Sequence, residues 1–337
     1  MQHLKNNFSF MKYRKFGNTN LNVSEIGFGA WAIGGAWGTT DDAQSLSALN
    51  CAIDCGVNFI DTADVYGDGR SERLVAQLRK NRREQIYVAT KCGRRLNPHA
   101  AEGYTAHNLE AFVDRSLQNL GTDYFDILQL HCPPTPVYHD ARVFAALDAM
   151  VEAGKVRHYG VSIERVDEGI TAMSYPGVSS IQVIYNIFRQ KPADNLFKEA
   201  VKNNVGIIAR IPLASGLLTG KLRQDTKFEA DDHRLVNRHG ESFDRGETFS
   251  GVDYDSGLKA VEMLRPIVPD GMTMAQFALR WVLMNDAVSC AIPGAKTADQ
   301  AAANAAAADF AQLTPEQMAA VREIYDDEIR GQVQHHW

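Results

Sequence analysis

Four side chains that could transfer a proton stand at the ends of short apolar runs. Asp61 ends the run 57–61 and Tyr66 follows it, while Lys91 comes directly after the run 86–90 and His131 directly after 125–130. A phenol has a pKa near 10, which is high for an acid that works at neutral pH, and a neighbouring cation lowers it. Lys91 is such a cation, and a carboxylate such as that of Asp61 would keep a buried ammonium charged.

The chemistry that these groups permit is proton donation to a carbonyl oxygen. The phenol of Tyr66 would be the acid, and His131 would orient the oxygen or take part in the proton relay. None of these side chains can supply a hydride, so the hydride would have to come from a cofactor. Each residue alone is more often a packed or ion-paired side chain. Their joint occurrence at three consecutive run ends favours catalysis.

The elements that would position these residues alternate along the chain. We predict eight strands, at 26–30, 57–61, 86–90, 125–130, 156–161, 180–184, 206–209 and 287–292. We predict helices at 42–55, 70–80, 106–120, 140–153, 164–174, 193–203, 256–284 and 297–326. Eight strands that are each followed by a helix favour parallel pairing through right-handed crossovers. Closed on itself, this order is a (β/α)₈ TIM barrel of mixed α/β class, whose active sites lie at the carboxyl ends of the strands.

Three segments stand outside that alternation. Residues 12–28 read as a β-hairpin with a turn at Gly17-Asn18, and we expect 1–11 to be a flexible extension of a single domain spanning 1–337. Residues 222–257 follow the seventh strand and carry many charges without a period. Loops longer than about 15 residues in a compact domain are usually functional lids or disordered. A linker between domains is the alternative for this segment.

Composition restricts the class of protein. The 337 residues are 45% hydrophobic and 23% charged with a net charge of −6, which excludes collagen-like, disordered and membrane-spanning chains. The acidic surplus argues against nucleic acid or an anionic membrane as a partner. Five cysteines without a C-x-x-C pair indicate a reducing, cytoplasmic location and no thiolate metal site. The first residues lack the apolar core of a signal peptide.

Several short motifs fit other functions incompletely. Residues 27–32 match G-x-G-x-x-A, but turn residues follow where a dinucleotide-binding fingerprint requires a helix. Residues 216–221 are one residue short of a phosphate-binding P-loop. Asp61, Asp64 and His131 could also serve a metal-dependent barrel hydrolase, which is one alternative function.

The ordered motifs around the four candidate residues resemble those of the aldo-keto reductase superfamily, and the resemblance extends over about residues 12–326. The matching segments are Asn58-Phe59-Ile60-Asp61-Thr62-Ala63 with Tyr66-Gly67, Ala89-Thr90-Lys91, and Leu128-Gln129-Leu130-His131. The resemblance implies a (β/α)₈ barrel and a catalytic tetrad of these four residues with Tyr66 as general acid. It also implies a substrate pocket formed by Trp31, Tyr66 and His131.

The same resemblance implies NADP(H) bound in an extended form across the open face of the barrel. Residues 160–162 and Gln182 would hold the carboxamide, 212–221 would wrap the pyrophosphate, and 292–304 would hold the 2′-phosphate and adenine. The implied cofactor contacts are Gly29, Ala30, Trp31, Ser162, Gln182, Arg210, Pro212, Leu213, Ser215, Gly216, Leu217, Lys221, Gly294, Lys296, Gln300 and Asn304. Backbone amides at a helix start and a lysine suit a phosphate.

Three positions depart from the family pattern. Ile163 stands where asparagine is usual, Arg210 where an aromatic residue commonly stacks on the nicotinamide, and Thr297 where a second basic residue is frequent. The guanidinium of Arg210 is planar and can also stack. Preference for NADPH over NADH therefore depends on Lys296.

The sequence predicts an NADP(H)-dependent oxidoreductase acting on an aldehyde, ketone or sugar-type carbonyl, or on the corresponding alcohol. The alternative is a regulatory NADP(H)-binding subunit of the channel β-subunit type. No nucleic-acid, membrane or metal partner is expected, and the sequence gives no oligomeric state.

Overall fold

The computed structural model describes residues 11–35, 37–38 and 40–337. The predicted extension 1–11 therefore lies outside the described residues, apart from Met11, which is buried against the core. No helix in the described part of the chain is long and apolar enough to cross a membrane.

An antiparallel hairpin begins the described chain, as the sequence predicted. Its strands are β1 (Tyr13–Lys15) and β2 (Asn22–Ser24). The turn between them buries Phe16 completely. Gly17 follows with φ +54°, and a Cβ there would come within 2.5 Å of the backbone nitrogen of Gly206, so this close approach requires glycine. The hairpin thus packs its turn against one end of the barrel interior.

Eight parallel strands form the central sheet, each paired with the next in sequence, and the prediction of a (β/α)₈ barrel is confirmed. They are β3 (Phe28–Gly29), β4 (Phe59–Asp61), β5 (Tyr87–Cys92), β6 (Phe125–His131), β7 (Val156–Ser162), β8 (Val178–Ile184), β9 (Gly206–Arg210) and β10 (Val288–Ala291). Backbone bonds from Gly27 N to Ala291 O (2.8 Å) and from Gly29 N to Pro293 O (3.0 Å) join the first strand to the last. These bonds close the sheet on itself.

Helices follow the strands and cover the outside of the sheet. They are α1 (Trp31–Gly34), α2 (Asp42–Asp54), α3 (Arg70–Lys80), α4 (Ala106–Leu120), α5 (Ala141–Glu152), α6 (Val166–Ala172), α7 (Leu196–Lys202), α8 (His233–Val236), α9 (Tyr254–Leu264), α10 (Met274–Leu283), α11 (Ala298–Ala305), α12 (Pro315–Ile324) and α13 (Arg330–Val333). Their buried faces pack into one apolar core that also contains the outward-facing side chains of the strands.

Two of the predicted helices are wrong in extent. The predicted helix 256–284 is two helices, α9 and α10, because Pro266 and Pro269 lie between them and proline cannot donate the backbone hydrogen bond of a helix interior. The predicted helix 297–326 is likewise divided into α11 and α12. Thr314 caps α12 in a reciprocal pair with Gln317, and Pro315 occupies the first helical position, where proline is favoured.

The aperiodic segment 222–257 follows β9 and is held by its own side chains. The buried amide of Asn237 accepts hydrogen bonds from the backbone nitrogens of Ser242 (2.8 Å) and Phe243 (2.9 Å), and it donates one to Oγ1 of Thr248 (3.2 Å). The segment contains the short helix α8 and two 3₁₀ turns, Arg245–Glu247 and Phe249–Gly251. The positions of the side chains in this segment therefore depend on tertiary contacts and not on a repeating sequence pattern.

Candidate active site

The four predicted catalytic residues lie at the carboxyl ends of three neighbouring strands. Asp61 is the last residue of β4, Lys91 is near the end of β5 and His131 is the last residue of β6, while Tyr66 lies in the turn before α3. Parallel strands bring such ends to one rim of a barrel. The register of β4, β5 and β6 therefore decides which of the four side chains meet.

Lys91 is the centre of the cluster. Its Nζ donates hydrogen bonds to Oδ2 of Asp61 (2.5 Å), to the backbone oxygen of Thr62 (2.9 Å) and to Oη of Tyr66 (3.2 Å). Lys91 and Asp61 are both buried. The second carboxylate oxygen of Asp61 accepts a hydrogen bond from Nε2 of Gln182 (2.7 Å), which comes from β8. Both oxygens of this buried carboxylate are thus bonded, as its burial requires.

Burial and charge act in opposite directions on the phenol and the ammonium. Burial raises the pKa of Tyr66, and the lowering effect of Lys91 does not offset it, so the net shift is upward. The sequence-based expectation of a lowered pKa is wrong in its net direction, because burial disfavours the phenolate. Burial lowers the pKa of Lys91, but Asp61 and Tyr66 more than offset that effect and the net shift is upward. Tyr66 is therefore a protonated phenol next to a charged ammonium at neutral pH.

His131 completes the rim and is uncharged. Its ring lies 5.9 Å from the ring of Tyr66, centroid to centroid, in a nearly perpendicular arrangement. Burial, followed by the charges of Arg94, Lys91 and Arg210, holds its pKa well below the usual value. Nδ1 has no hydrogen-bond partner among the residues that the structure describes. A neutral imidazole of this kind can donate one hydrogen bond to a bound oxygen.

The rim opens into a cavity of about 1010 Å³. Most of the residues implied as cofactor or substrate contacts line it. They are Gly29, Trp31, Asp61, Tyr66, His131, Ser162, Gln182, Arg210, Pro212, Leu213, Ser215, Gly216, Lys221, Gly294, Lys296, Gln300 and Asn304. Ala30 and Leu217 are fully buried and do not belong to the lining, and Lys91 lies beneath Tyr66. The structure therefore brings together all of the implied contacts except Ala30 and Leu217.

The loop after β9 has several residues in the left-handed backbone conformation. Ile211, Ala214, Ser215 and Gly216 all have positive φ, between 46° and 100°. The backbone nitrogens of Ala214 and Gly216 donate within the loop, to the backbone oxygens of Ile211 (3.0 Å) and Leu213 (2.9 Å), while Ser215 and Gly216 line the cavity. Lys221 lines the cavity a few residues farther on. The sequence-based prediction places the pyrophosphate at this loop.

The other end of the cavity carries the segment before α11. The backbone nitrogen of Lys296 donates to Oε1 of Gln300 (2.8 Å), and Nδ2 of Asn304 donates to the backbone oxygen of Gly294 (3.1 Å). The ammonium of Lys296 donates to the backbone oxygen of Trp37. Burial lowers the pKa of this ammonium. Lys296, Gln300 and Asn304 thus share one end of the cavity, where a phosphate or adenine could be held.

A further cation at this end is Arg234, which comes from α8 within 222–257. It lines the cavity, and its Nη1 would lie 3.5 Å from a Cβ atom placed on Gly216. Its charge also lowers the pKa of Lys296. Sequence analysis missed Arg234, since the aperiodic segment gave no register, and only the high charge of the segment pointed toward such a residue.

Arg210 lies at the end of β9 and is bound on several sides. Its guanidinium donates to Oε1 of Glu247 (2.5 Å), to the backbone oxygen of Ile163 (2.9 Å) and to Sγ of Cys132 (3.7 Å). Burial raises the pKa of Glu247, but Arg210 and Arg94 outweigh that effect and the net shift is downward. Glu247 is therefore charged at neutral pH. Sequence analysis missed it because no local signal connects residue 247 with β9.

Segment 222–257 also contributes aromatic contacts to the pocket. The ring of His233 lies 4.7 Å from that of Trp31 and 4.2 Å from that of Trp37, and Phe243 lies 6.2 Å from Trp31. Trp31 is in turn stacked 6.1 Å from Tyr66. This segment therefore forms a wall of the cavity beside the rim that carries Tyr66 and His131.

In the described part of the chain, no three or more His, Cys, Asp or Glu side chains lie close enough together to hold a metal ion. Asp61 is paired with Lys91, and Asp64 is completely buried without lining the cavity. The five cysteines are free thiols. Within the described residues, Asp61, Asp64 and His131 are therefore not gathered as a set of metal ligands.

Comparison with known proteins agrees with this geometry. The model of the aldo/keto reductase family matches residues 25–326, and the chain belongs to this family. It is 32% identical over 302 residues to aldo-keto reductase YhdN of Bacillus subtilis, covering 86% of each chain. It is 31% identical over 322 residues to a probable voltage-gated potassium channel subunit beta of Arabidopsis thaliana, covering 90% of this chain and 93% of that protein. The solved structure of glycerol dehydrogenase AKR11B4 from Gluconobacter oxydans is similar at a TM-score of 0.77 and 26% identity, with 94% of this chain and 96% of that chain covered.

Proposed function

We propose that this protein is an NADP(H)-dependent oxidoreductase that interconverts a carbonyl compound and its alcohol. The observation that carries the proposal is the connected chain from Asp61 through Lys91 to Tyr66, which ends at a cavity that His131 also lines. When bound, the reduced nicotinamide supplies the hydride. The residues of this chain supply the proton and the binding.

Each member of the tetrad has a distinct task in this proposal. Tyr66 gives its proton to the carbonyl oxygen during reduction and takes it back during oxidation. Lys91 holds the phenol by a hydrogen bond of 3.2 Å and stabilises the phenolate that remains after proton transfer. Asp61 keeps Lys91 charged in its buried position. Neutral His131 directs a hydrogen bond to the carbonyl oxygen and so orients it.

The cofactor contacts follow the shape of the cavity. Ser162 and Gln182 hold the carboxamide, and the left-handed loop after β9 holds the pyrophosphate. Lys296, with Arg234 beside it, holds the 2′-phosphate, and Gln300 and Asn304 hold the adenine. Lys296, together with Arg234, which is also paired with Asp232 at 2.6 Å, would favour NADPH over NADH. The free thiols support a reducing, cytoplasmic location.

The test of this proposal is the Tyr66→Phe variant, assayed with NADPH and NADH against a set of simple aldehydes and ketones. Loss of a general acid costs about 10²–10⁴-fold in rate, and kcat should fall by that factor while NADPH binding stays unchanged. Tyr13→Phe is the matched control, because Tyr13 lies on the hairpin and its hydroxyl donates to the backbone oxygen of Gly56, which precedes the amino end of β4 and not the carboxyl end that forms the rim. A Tyr66→Phe variant with half the wild-type kcat or more would refute the role of Tyr66.

The second candidate function is a regulatory subunit that binds NADP(H) with little turnover. The similarity to a channel β subunit favours it, because that relative covers nearly the whole chain. Steady turnover of simple carbonyl compounds supports the enzyme. Tight cofactor binding without turnover supports the regulatory subunit.

A further inference from the structure

Beyond His131, the cavity wall carries paired charges. Arg94 donates from Nε to the backbone oxygen of His131 (3.3 Å) and from Nη2 to Oε1 of Glu164 (3.2 Å). Oε1 of Glu247 lies 3.9 Å from the same Nη2. All of these residues line the cavity. A charged pair is thus connected directly to a residue of the catalytic rim.

Both members of the Arg94–Glu164 pair keep hydrogen-bonding capacity toward the cavity. Arg94 donates hydrogen bonds from Nε and Nη2, and no group within the described ranges accepts a hydrogen bond from its Nη1. Glu164 accepts from Arg94 through Oε1, while its Oε2 accepts no hydrogen bond from any described residue. The two side chains are 19% and 30% exposed, so the remaining donor and acceptor can reach a ligand. A guanidinium only donates and a carboxylate mainly accepts, so the pair offers both functions side by side.

The charges of this wall balance one another. Arg94 and Arg210 are matched by Glu164 and Glu247, with ion pairs of 3.2 Å and 2.5 Å. An anionic ligand would therefore meet as many carboxylates as guanidinium groups. A neutral hydroxyl group, by contrast, donates to a carboxylate and accepts from a guanidinium at the same time. Burial raises the pKa of Glu164 to about 7, so a neutral carboxyl that both donates and accepts is also accessible.

The rest of the pocket suits the carbon skeleton of such a ligand. Trp31 and Phe243 present aromatic rings 6.2 Å apart, and both line the same cavity. A molecule with C–H faces and several hydroxyl groups can use the aromatic rings and the ion pair together. An aldehyde with an alkyl chain would cover the charged pair without replacing its hydrogen bonds to water, which costs binding free energy.

We propose that Arg94 and Glu164 form a hydroxyl-recognition subsite, and that the substrate is a short, uncharged carbonyl compound with hydroxyl groups on the carbons next to the carbonyl. This inference rests on the proposed function, because it takes the carbonyl oxygen to lie at Tyr66 and His131. Arg94 and Glu164 bind and orient the substrate and take no part in bond making. They select the polyhydroxylated class from the carbonyl compounds that the tetrad can serve.

The experiment compares kcat/KM for glyceraldehyde and for propionaldehyde, which differ by two hydroxyl groups. The variants are Arg94→Met and Glu164→Gln, with Arg142→Met as the matched control because Arg142 is exposed on α5. A hydrogen bond to a charged group changes binding affinity by about 10- to 100-fold. The preference for glyceraldehyde should fall by that factor in Arg94→Met and by a smaller factor in Glu164→Gln, whatever change the two substrates share, while Arg142→Met should leave both kcat/KM values within about threefold of the wild type. Glu164→Gln keeps the bond from Arg94 to His131, so it reports on the subsite even where Arg94→Met disturbs the rim.

A binding measurement separates this inference from the proposed function. Quenching of tryptophan fluorescence by glycerol and by propan-1-ol should show tighter glycerol binding in the wild type, and both variants should lose the difference. Turnover of propionaldehyde with no hydroxyl preference, or with a preference that survives both variants, overturns the subsite and leaves the proposed function intact. A higher kcat/KM for glyceraldehyde phosphate than for glyceraldehyde overturns the assignment to uncharged substrates. Absence of any turnover with either nicotinamide cofactor overturns the proposed function itself.

Discussion

Replacing Lys91 by methionine should destabilise the fold as well as stop catalysis. The substitution keeps much of the side-chain volume but removes the ammonium that bonds to Asp61 at 2.5 Å, in a place where both side chains are buried. The carboxylate of Asp61 then keeps only the hydrogen bond from Gln182. Breaking a buried pair by removing one partner costs about 3–5 kcal/mol, because it leaves an uncompensated charge.

That cost converts into a measurable change of the unfolding midpoint. Unfolding entropy is about 2.1 cal/mol/K per residue, so this chain unfolds with about 0.7 kcal/mol/K and the midpoint should fall by roughly 4–7 °C. The pair Asp61→Asn and Lys91→Met should be less destabilised than the sum of the single variants, by about 0.5–3 kcal/mol, because the double variant has no unpaired charge. Calorimetry or thermal circular dichroism of the four proteins measures both quantities.

The pH dependence follows from the direction of the Lys91 shift. Its pKa is raised in the folded protein, so the stabilisation is fully present below the ordinary lysine pKa and is lost only as the pH rises above it. The ammonium of Lys91 should therefore add no pH dependence to the stability of the wild type from about pH 6 to pH 9. A variant within about 1 kcal/mol of the wild type, or single costs that simply add, would refute the reasoning about this pair.

Two further predictions concern the cofactor. Lys296→Ala should weaken NADPH binding about 10- to 100-fold and leave NADH binding nearly unchanged, since a hydrogen bond to a charged group contributes roughly 1.5–3 kcal/mol; equal weakening of both cofactors in a fluorescence titration would mean that Lys296 holds the loop and not the phosphate. Segment 222–257 contacts the cavity wall through Glu247, which accepts hydrogen bonds from Arg210 and Ser215. We expect the segment to close over the bound cofactor, so that limited proteolysis within it slows when NADP⁺ is added. Cleavage at equal rates with and without NADP⁺ would contradict this closure.

The sequence by itself determined the order of the strands and the position of the tetrad. Alternating apolar runs and helical periods predict a closed parallel barrel, and the carboxyl ends of its strands must share one rim. Asp61 ends its run, and Lys91 and His131 follow theirs directly, so local pattern was sufficient to place them together.

Tertiary structure alone decided what surrounds the tetrad. Arg94, Glu164 and Glu247 meet across distant parts of the chain, and no period in 222–257 predicts which of its side chains faces β9. Arg234 reaches the cavity for the same reason. The upward shift in the pKa of Tyr66 also required the fold, because it depends on how completely the phenol is removed from water, and burial outweighs the charge of Lys91 only at that depth. Local pattern thus predicts which residues stand at the end of a strand, whereas the depth of burial and the long-range partners depend on the packed chain.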